Sequence, residues 1–374
     1  MAFKAIPVVA GKVAATLSDY PAYIKPSAMT GWEVLTLAEA QSIRFYSDEA
    51  KTTELAREVV SADEVHVKVP SLTTSTTIYA DYDGVRSDLS PGATYGRNAV
   101  WGDYMYVSHN GGGDDATGNS NTGTANGGVT LGGATGQIGN ATDYDGTDDY
   151  SNIGFQEFGA ELASFTYQQW LKTSETSTDA ALSGTLNDGN TGAYLLRLNT
   201  ESNAIGFFIR QDNQPITSRR VTFLTNTTVN DNVWHQLHLV VEDYATRDGQ
   251  WYIDGSSVTT TASGTSSLSN IFNNFQYNVY VGAFNNRDSA DRHGNIIQEE
   301  IRVRKGINNL SANWIETEYN NQDDVASFWG TVTDVGATAT LGLKLGSTTI
   351  NKVMLGSTEI KKIYLGTTVI YENL

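Results

Sequence analysis

The sequence predicts an all-β fold, and three observations carry this prediction. Charged residues make up only 18% of the chain, which contains 36 glycines, a composition that suits many short strands and turns. Apolar side chains alternate with period two through residues 237–241, as they do in a half-buried strand. After a polar break, residues 250–255 form a second apolar run that ends in Asp254-Gly255, so residues 234–255 are predicted to form a β-hairpin.

Composition and charge exclude several classes of protein. The 374 residues carry a formal net charge of −18 at pH 7, which argues against nucleic-acid binding because phosphate contacts need clustered Lys and Arg. The chain has no cysteine, which excludes disulfides, thiol catalysis and Cys-based zinc sites. Residues 1–7 lack the apolar core of a signal peptide, and no apolar run approaches membrane length. We therefore expect a protein made in a cytoplasm, with neither nucleic acid nor membrane as a partner.

Four ordered motifs extend the β prediction to a whole domain. They are residues 164–172, 234–255, 279–283 and 294–303. Together they resemble the laminin-G-like, concanavalin A-type jelly roll, although that family usually has Asp-Glu where this chain has Glu299-Glu300. The resemblance implies a jelly roll over residues 96–310, with two antiparallel sheets packed across a shared core. The expected core residues are Trp170, Leu237, Leu239, Tyr252 and Val281.

Residues 1–95 are predicted to form a small β-domain before the jelly roll. Short β-type runs occur at residues 43–45, 67–72 and 77–82. They resemble a small β-domain of unknown function that is generally found beside laminin-G-like modules in bacterial surface and phage proteins. Residues 311–334 resemble the segment that closes this pair of domains, and Ser311 is the predicted N-cap of its helix.

Residues 335–374 form a predicted C-terminal β-repeat tail. Units that begin at Leu345, Leu355 and Leu365 repeat with a period of ten, each with a Gly-Ser/Thr-Thr turn and a short β-branched strand. Such units are too small to bury a core alone and need a partner surface. They resemble the C-terminal tails of phage tail and fibre proteins. The equivalent apolar positions Ile350, Ile360 and Ile370 would leave an uncovered hydrophobic face beside free strand edges. We therefore expect self-association, most simply as a symmetric trimer, or docking on another virion protein.

Acidic turns offer candidate calcium ligands. Asp143, Asp145, Asp148 and Asp149 crowd one Gly-containing turn, and calcium prefers several oxygen ligands from flexible loops. The spacing is not that of an EF-hand, and a solvated acidic turn is the alternative. Asp114-Asp115 with Asn119, in the polar stretch 110–136, is a second candidate.

Aromatic residues outside the predicted strands are candidates for ligand contact. Tyr and Trp give large, rigid contact area with a polar tip, which suits sugars and protein interfaces alike. Trp170 and Trp251 lie on predicted strands, where a core position is expected. The candidates for an exposed ligand site are Tyr95, Trp101, Tyr104 and Tyr106.

Catalytic constellations find little support in the sequence. No Gly-x-Ser-x-Gly motif lies near any of the histidines, which are His66, His109, His235, His238 and His293. Concanavalin A-type folds include glycoside hydrolases, but their Glu-x-Asp-x-x-Glu signature is absent from this sequence. Adjacent strand residues point to opposite faces, so Glu299 and Glu300 are expected to be unable to flank one bond.

The sequence therefore indicates a non-enzymatic bacteriophage virion protein. It would be a tail fibre, spike or capsid decoration that recognises a glycan or protein receptor on the host surface. A virion protein released by lysis also accounts for a recognition module without a signal peptide. The alternatives are a concanavalin A-type polysaccharide hydrolase and a purely architectural decoration protein.

Overall fold

The computed structural model describes most of the chain and is built mainly from strands. The described residues are 2–154, 164–185, 193–199, 205–210, 220–243, 246–264, 277–305 and 310–335, with short tail strands between 344 and 372. Strands account for 48% and helices for 10%, which confirms the all-β prediction. Within these ranges, no helix is both long and apolar enough to cross a membrane.

The N-terminal part of the chain folds into two small antiparallel sheets. Its strands are β1 (Ala2–Pro7), β2 (Leu17–Ile24), β3 (Arg44–Tyr46), β4 (Glu54–Leu55), β5 (Arg57–Ser61), β6 (Glu64–Leu72) and β7 (Thr77–Tyr82). One sheet has the order β1-β7-β3-β4 and the other the order β2-β6-β5. A 3-10 turn covers Pro26–Ala28, and helix α1 (Leu37–Ser42) begins at a capping box between Thr36 and Glu39. We call residues 2–82 the small domain.

A β-sandwich follows, after the single-turn helix α2 (Arg97–Val100). Its strands are β8 (Tyr104–Ser108), β9 (Gly123–Asn126), β10 (Ala134–Thr135), β11 (Asn140–Asp145), β12 (Tyr150–Ile153), β13 (Phe165–Lys172), β14 (Ala181–Thr185), β15 (Ala193–Leu198), β16 (Ile205–Arg210), β17 (Arg220–Thr225), β18 (Trp234–Asp243), β19 (Asp248–Ile253), β20 (Ser256–Ser257), β21 (Thr260–Gly264), β22 (Val279–Val281), β23 (Phe284–Asn286), β24 (Ser289–Asp291) and β25 (Asn295–Lys305). The front sheet has the order β10-β11-β25-β13-β18-β19-β20, with β8 also paired to β25. The back sheet has the order β21-β17-β16-β15-β14-β22-β12-β9, with β23 also paired to β14 and β24 paired to β23.

The two sheets pack face to face over a continuous apolar core. Phe165 of the front sheet lies 5.5 Å from Phe207 of the back sheet, measured between ring centroids. Leu237, Leu239 and Val281 lie in this core, as predicted. The hairpin of β18 and β19 is also as predicted, because Leu237 pairs with Ile253 and Leu239 with Trp251.

Trp170 and Tyr252 do not lie between the sheets, so these two core predictions are wrong. Phe165, Tyr167 and Leu171 take the inward positions of β13, which leaves Trp170 on the outer face of the front sheet. Tyr252 alternates with Trp251 in the same way and is half-buried on the outer face. The period of two was right, but the front sheet buries apolar residues on both of its faces.

A second core covers the outer face of the front sheet. After the sandwich, the chain forms helix α3 (Ala312–Asp323), helix α4 (Val325–Phe328) and strand β26 (Thr333–Asp334). Helix α3 begins at Ser311, whose Oγ accepts a hydrogen bond from Trp314 N at 3.2 Å, as predicted for its N-cap. Strand β26 pairs with β1, so this segment returns to the small domain. The second core combines Tyr20 and Ile24 of the small domain with Trp170, Val240, Trp314 and Ile315.

The tail contains short antiparallel hairpins in its described residues. They are β27 (Lys344–Leu345) with β28 (Thr348–Thr349), β29 (Met354–Leu355) with β30 (Thr358–Glu359), and β31 (Lys362–Leu365) with β32 (Thr368–Glu372). The first two repeat at the ten-residue spacing of the sequence, which agrees with the predicted β-repeat. The turn glycines Gly346, Gly356 and Gly366 lie outside the described residues.

Candidate functional site

An open groove lies between the turn after β19 and helix α3. It encloses about 550 Å³, a size in the usual range of ligand sites. Its lining residues are Tyr252, Asp254, Gly255, Ser256, Ser257, Ala312, Glu316, Tyr319 and Asn320. We call this surface the hairpin–helix groove. It joins the jelly roll to the closing segment, which is why its two walls are far apart in the sequence.

Two tyrosines supply the aromatic surface of the hairpin–helix groove. Tyr252 and Tyr319 are both half-buried, so part of each ring faces solvent. Tyr319 is held in place because its ring stacks on Trp170, with centroids 5.9 Å apart and planes at 27°. Burial raises the pKa of Tyr319 to about 12, so its hydroxyl stays neutral at physiological pH. A half-exposed phenol with a neutral hydroxyl can both stack and hydrogen-bond.

The hairpin side of the hairpin–helix groove carries a carboxylate that is held by hydrogen bonds. Asp254 Oδ2 lies 2.7 Å from His235 Nδ1, and Asp254 Oδ1 accepts a hydrogen bond from Gln236 N at 2.9 Å. The other ring nitrogen of His235 lies 3.1 Å from Asp231 Oδ1. The hydrogen bond to Asp254 raises the pKa of His235, so the imidazolium form is favoured. His235 lies on strand β18 and is only partly buried.

The structure confirms exposure for only one of the four aromatic residues predicted to contact ligand. Tyr95 is 38% exposed. Trp101, Tyr104 and Tyr106 are buried, so the prediction of an exposed site at these residues is wrong. Trp101 and Tyr104 pack in a small cluster with Val107, and Tyr106 lies in the core between the sheets. Their polar neighbours in the sequence suggested a loop, but Tyr104 and Tyr106 belong to strand β8.

A buried polar cluster lies where the small domain meets the front sheet. We call it the junction cluster, and its members are Glu58, Glu64, His66, His109, Glu300 and Arg302. His109 is placed between two carboxylates, with Nδ1 2.6 Å from Glu300 Oε1 and Nε2 3.0 Å from Glu58 Oε2. Arg302 Nε donates to Glu300 Oε2 at 2.8 Å, and Arg302 Nη1 donates to Glu318 Oε1 of α3 at 2.7 Å. The small domain, the sandwich and helix α3 thus all contribute charged groups to one buried network.

Burial and neighbouring charge shift the pKa values in the junction cluster in opposite directions. Desolvation raises the pKa of Glu64 well above its usual range and lowers that of His66 well below its own. Burial also acts to lower the pKa of His109, but the carboxylates of Glu300 and Glu58 outweigh it and raise that pKa. Arg302 and His109 in turn lower the pKa of Glu300 against its desolvation. His66 is therefore a neutral imidazole beside an imidazolium.

Glu299 and Glu300 face the same side of the front sheet, contrary to the expectation from strand alternation. The pairing of β13 with β25 shifts register between Gln168 and Trp170, and Glu300 has a left-handed φ of 51°. The bulge lets Glu299 accept hydrogen bonds from the backbone of residues 137–139 while Glu300 meets His109. Desolvation raises the pKa of Glu299 to about 7. Neither carboxylate is exposed, so neither can reach a polysaccharide.

The acidic turn after β11 gathers three of the four predicted calcium ligands. Carboxylate oxygens of Asp145, Asp148 and Asp149 lie within 4.8 Å of one another, whereas Asp143 lies outside this group. Asp149 Oδ2 accepts a hydrogen bond from Asp145 N at 3.2 Å. Burial raises the pKa of Asp149, and the neighbouring carboxylates of Asp145 and Asp148 act in the same direction.

The second acidic candidate organises its own loop. Asp115 Oδ1 accepts hydrogen bonds from Thr117 N at 3.0 Å, and its Oδ2 accepts one from Asn121 N at 2.7 Å. Asp114 Oδ1 accepts a hydrogen bond from Ser108 Oγ at 2.8 Å. The stretch 110–136 is thereby tied to β8 and contributes strands β9 and β10 to the two sheets.

Comparison with known proteins identifies the jelly roll and little beyond it. A family model described as the concanavalin A-like lectin/glucanases superfamily matches residues 145–298. These residues run from the end of β11 into β25, so the match covers most of the sandwich. Among curated proteins, no relative matches this chain.

Similar solved structures are binding domains of botulinum neurotoxins. The serotype D binding domain has 11% sequence identity and a TM-score of 0.42, covering 59% of this chain and 52% of that one. The serotype G binding domain has 12% identity and a TM-score of 0.40, with 58% and 50% covered. A serotype D ligand binding domain in complex with N-acetylneuraminic acid has 10% identity and a TM-score of 0.43, with 59% and 51% covered. This chain spans about half the length of those chains.

Proposed function

We propose that the protein is a non-catalytic recognition module that binds a glycan in the hairpin–helix groove. The observation that carries the proposal is the pairing of Tyr252 and Tyr319 with the polar groups of one open groove. Sugars present apolar C–H faces and many hydroxyls, so they bind where aromatic rings lie beside carboxylates, amides and hydroxyls. The matched family contains lectins as well as glucanases.

The state of the carboxylates supports binding without catalysis. Glycoside hydrolysis needs one carboxyl group as acid and a second as nucleophile or base. Asp254 holds its two oxygens against His235 and Gln236 N, which leaves it poorly placed to act on a substrate. The buried pair Glu299 and Glu300 is closed to solvent.

A polysaccharide hydrolase is the second candidate, and one observation favours it. Asp254 and Glu316 both line the hairpin–helix groove, so two carboxylates do meet at one accessible surface. A panel of glycans distinguishes the candidates, because a lectin retains the ligand unchanged and a hydrolase releases reducing ends. An architectural decoration protein would do neither.

The setting that we propose for this recognition module is a virion. Repeated hairpins in the tail support assembly on a larger particle, either through a trimer of this chain or through another virion protein. Calcium at Asp145, Asp148 and Asp149 would stabilise the rim of the sandwich. The ligand would then be a surface glycan of the host.

The experiment compares a tyrosine that lines the groove with one that lies outside it. Tyr252→Ser should weaken binding to the glycan selected from the panel by about tenfold or more, because an aromatic contact in the groove is lost. Tyr95→Ser is the matched control, since Tyr95 is exposed outside the groove and should leave affinity unchanged. Thermal melting of both variants confirms that they are folded. Equal affinity of Tyr252→Ser and the unaltered protein would overturn the assignment of the groove.

A further inference from the structure

Four potential metal ligands converge in the junction cluster from three separate strands or strand ends. Glu64 and His66 lie on β6 of the small domain, His109 directly follows β8, and Glu300 lies on β25. One ligand atom from each residue lies within 4.8 Å of the others, and all four residues are buried. Glu64 Oε1 lies 3.6 Å from His66 Nε2 and 3.5 Å from His109 Nδ1. These are short separations for groups that make no hydrogen bond to one another.

Several of these atoms are buried without a hydrogen-bond partner. His66 is fully buried, and neither its Nδ1 nor its Nε2 has a partner. Glu64 is 3% exposed, and its Oε1 is also unpaired. Buried polar atoms are nearly always satisfied in folded proteins, because an unpaired one costs about 1–3 kcal/mol. A group that binds His66 and Glu64 would remove this cost.

The charge balance of the site calls for a cation. Carboxylates of Glu58, Glu64, Glu299 and Glu300 are all buried around it, while Arg302 and the imidazolium of His109 supply the positive charge. Neither ring nitrogen of His66 has a hydrogen-bond partner, so a nitrogen lone pair is available to a cation.

We propose that the junction cluster binds a first-row divalent transition metal ion, most simply Zn²⁺, through Glu64, His66, His109 and Glu300. Two imidazoles with two carboxylates suit Zn²⁺ better than calcium, which prefers oxygen ligands alone. The ion replaces the proton on His109 Nδ1, so binding releases protons. The other ring nitrogen, Nε2, then donates to Glu58 Oε2, which lies 3.0 Å away. A carboxylate in that position orients a metal-bound histidine.

The present distances are close to those of a tetrahedral zinc site. Ligand atoms of such a site lie about 3.3 Å apart, since each bond is about 2.0 Å long. Glu64 Oε1 is 3.5 Å from His109 Nδ1, whereas Glu300 Oε1 is 2.6 Å from the same nitrogen and must move away as the ion replaces their hydrogen bond. The rings of His66 and His109 stack at 4.8 Å with 16° between their planes, so the His66 ring must turn toward the ion. That rotation breaks no hydrogen bond of His66.

A route for the ion exists beside the site. A cavity of about 150 Å³ is lined by Glu64 and His109 together with Val60, Ser61, Asn110, Asp114, Gly139 and Asn140. Asn140 is exposed and Asp114 is half-buried, so the cavity leads from solvent to the two ligands. A hydrated cation can enter there and lose its water at the histidines.

The consequence is a metal clamp between the two domains. Glu64 and His66 belong to the small domain, whereas His109 and Glu300 belong to the sandwich. An ion bound by both holds the domains together and stabilises the folded chain by mass action. The hairpin–helix groove lies elsewhere on the front sheet, so this inference does not depend on glycan binding.

The test is metal titration of the chelator-treated full chain. We expect one Zn²⁺ per chain by calorimetry, and visible absorption bands of bound Co²⁺ in the same protein. Glu64→Gln and His66→Phe should each weaken Zn²⁺ binding by about 100-fold, because even residues that only orient ligands contribute 10- to 100-fold. Phe keeps the ring that packs between Tyr23 and Trp101. His235→Gln is the matched control, since His235 also lies between two carboxylates but at the surface.

Two outcomes would overturn the proposal: no stoichiometric Zn²⁺ binding, or Zn²⁺ binding that survives Glu64→Gln and His66→Phe with unchanged affinity. If either junction variant fails to fold, the X-ray absorption spectrum of the Zn²⁺-loaded unaltered protein decides the matter. Two imidazoles in the first coordination sphere support the site. One imidazole or none overturns it.

Discussion

A Cβ atom placed on Gly255 would lie 2.9 Å from Cβ of Tyr319. The turn of the β18–β19 hairpin therefore touches helix α3 at a distance that only glycine permits. Gly255 also has a φ of +75°, a conformation that residues with a side chain rarely adopt. The shape of the hairpin–helix groove depends on this contact, because Gly255 and Tyr319 both line it.

Gly255→Ala should destabilise the protein through both strain and collision. We expect a loss of about 1–3 kcal/mol in the free energy of unfolding, measured with urea. Gly11→Ala is the matched control, because Gly11 has a similar φ of +85° with no atom within 4 Å of the added carbon. The difference between the two variants isolates the contact with helix α3. Equal losses of unfolding free energy in the two variants would show that the contact between Gly255 and helix α3 does not contribute to stability.

His235 should make stability depend on pH. The hydrogen bond with Asp254 raises its pKa above the ordinary value of 6.5, so the folded state binds the proton more tightly than the unfolded state. The stability that protonated His235 contributes is fully present below pH 6.5 and is lost as the pH rises through the raised pKa. Asp231, the other carboxylate beside His235, loses its own contribution only as the pH falls below about 3.8.

The measurement is the urea midpoint of the unaltered protein minus that of His235→Gln, followed from pH 5 to pH 9. The difference should be largest near pH 5 and shrink above pH 6.5. A difference that grows with pH would contradict the pairing of His235 with Asp254. Because Gln keeps a hydrogen-bond donor near Asp254, the variant mainly removes the positive charge of His235 and not its contact with Asp254.

Local sequence patterns predicted the strands well but could not place what covers them. The alternation in β18 and the turn at Asp254-Gly255 depend on neighbouring residues alone, and the structure contains both. The position of Trp170 depends on helix α3, where Gln322 Oε1 accepts its indole hydrogen at 2.8 Å. That partner is far away in the sequence. The alternating pattern therefore predicted the strand β13 but could not predict that helix α3 buries its outer face.

The same limit explains what was missed at the sites. Trp101 follows the single-turn helix α2, and its polar surroundings gave no sign that its indole donates to buried Glu58. Glu299 and Glu300 share a face because of a bulge that no local pattern marks. Glu64-x-His66 was the available signal for the junction cluster, since residues two apart on a strand share a face. His109 and Glu300 reach it only through the tertiary fold.

Calcium should raise the melting temperature if it binds the acidic turn after β11. Carboxylates of Asp145, Asp148 and Asp149 lie within 4.8 Å of one another, and calcium would relieve their repulsion. At a concentration about 100 times its dissociation constant, a bound ion adds about 2.7 kcal/mol to stability. Asp148→Asn should abolish the shift, while Asp143→Asn, outside the group, should keep it. A melting temperature unmoved by chelator and by millimolar calcium would refute the site.

The tail should determine the oligomeric state. Its described strands form separate two-stranded hairpins, and such hairpins are at best marginally stable alone in water. Their free edges can pair with other chains, so we expect the tail to fold fully only by association.

Truncation tests this role, and the structure fixes where to cut. Asp334 forms an ion pair with Lys4 at 2.8 Å, and Val335 N donates to Phe3 O at 2.8 Å. A chain that ends after Val335 therefore keeps β26 on β1 and should stay folded, with an unchanged melting temperature. Light scattering should give a monomer mass for this truncated chain and a multiple of it, most simply threefold, for the full chain. If the full and truncated proteins contain the same number of chains per particle, the tail does not assemble the protein.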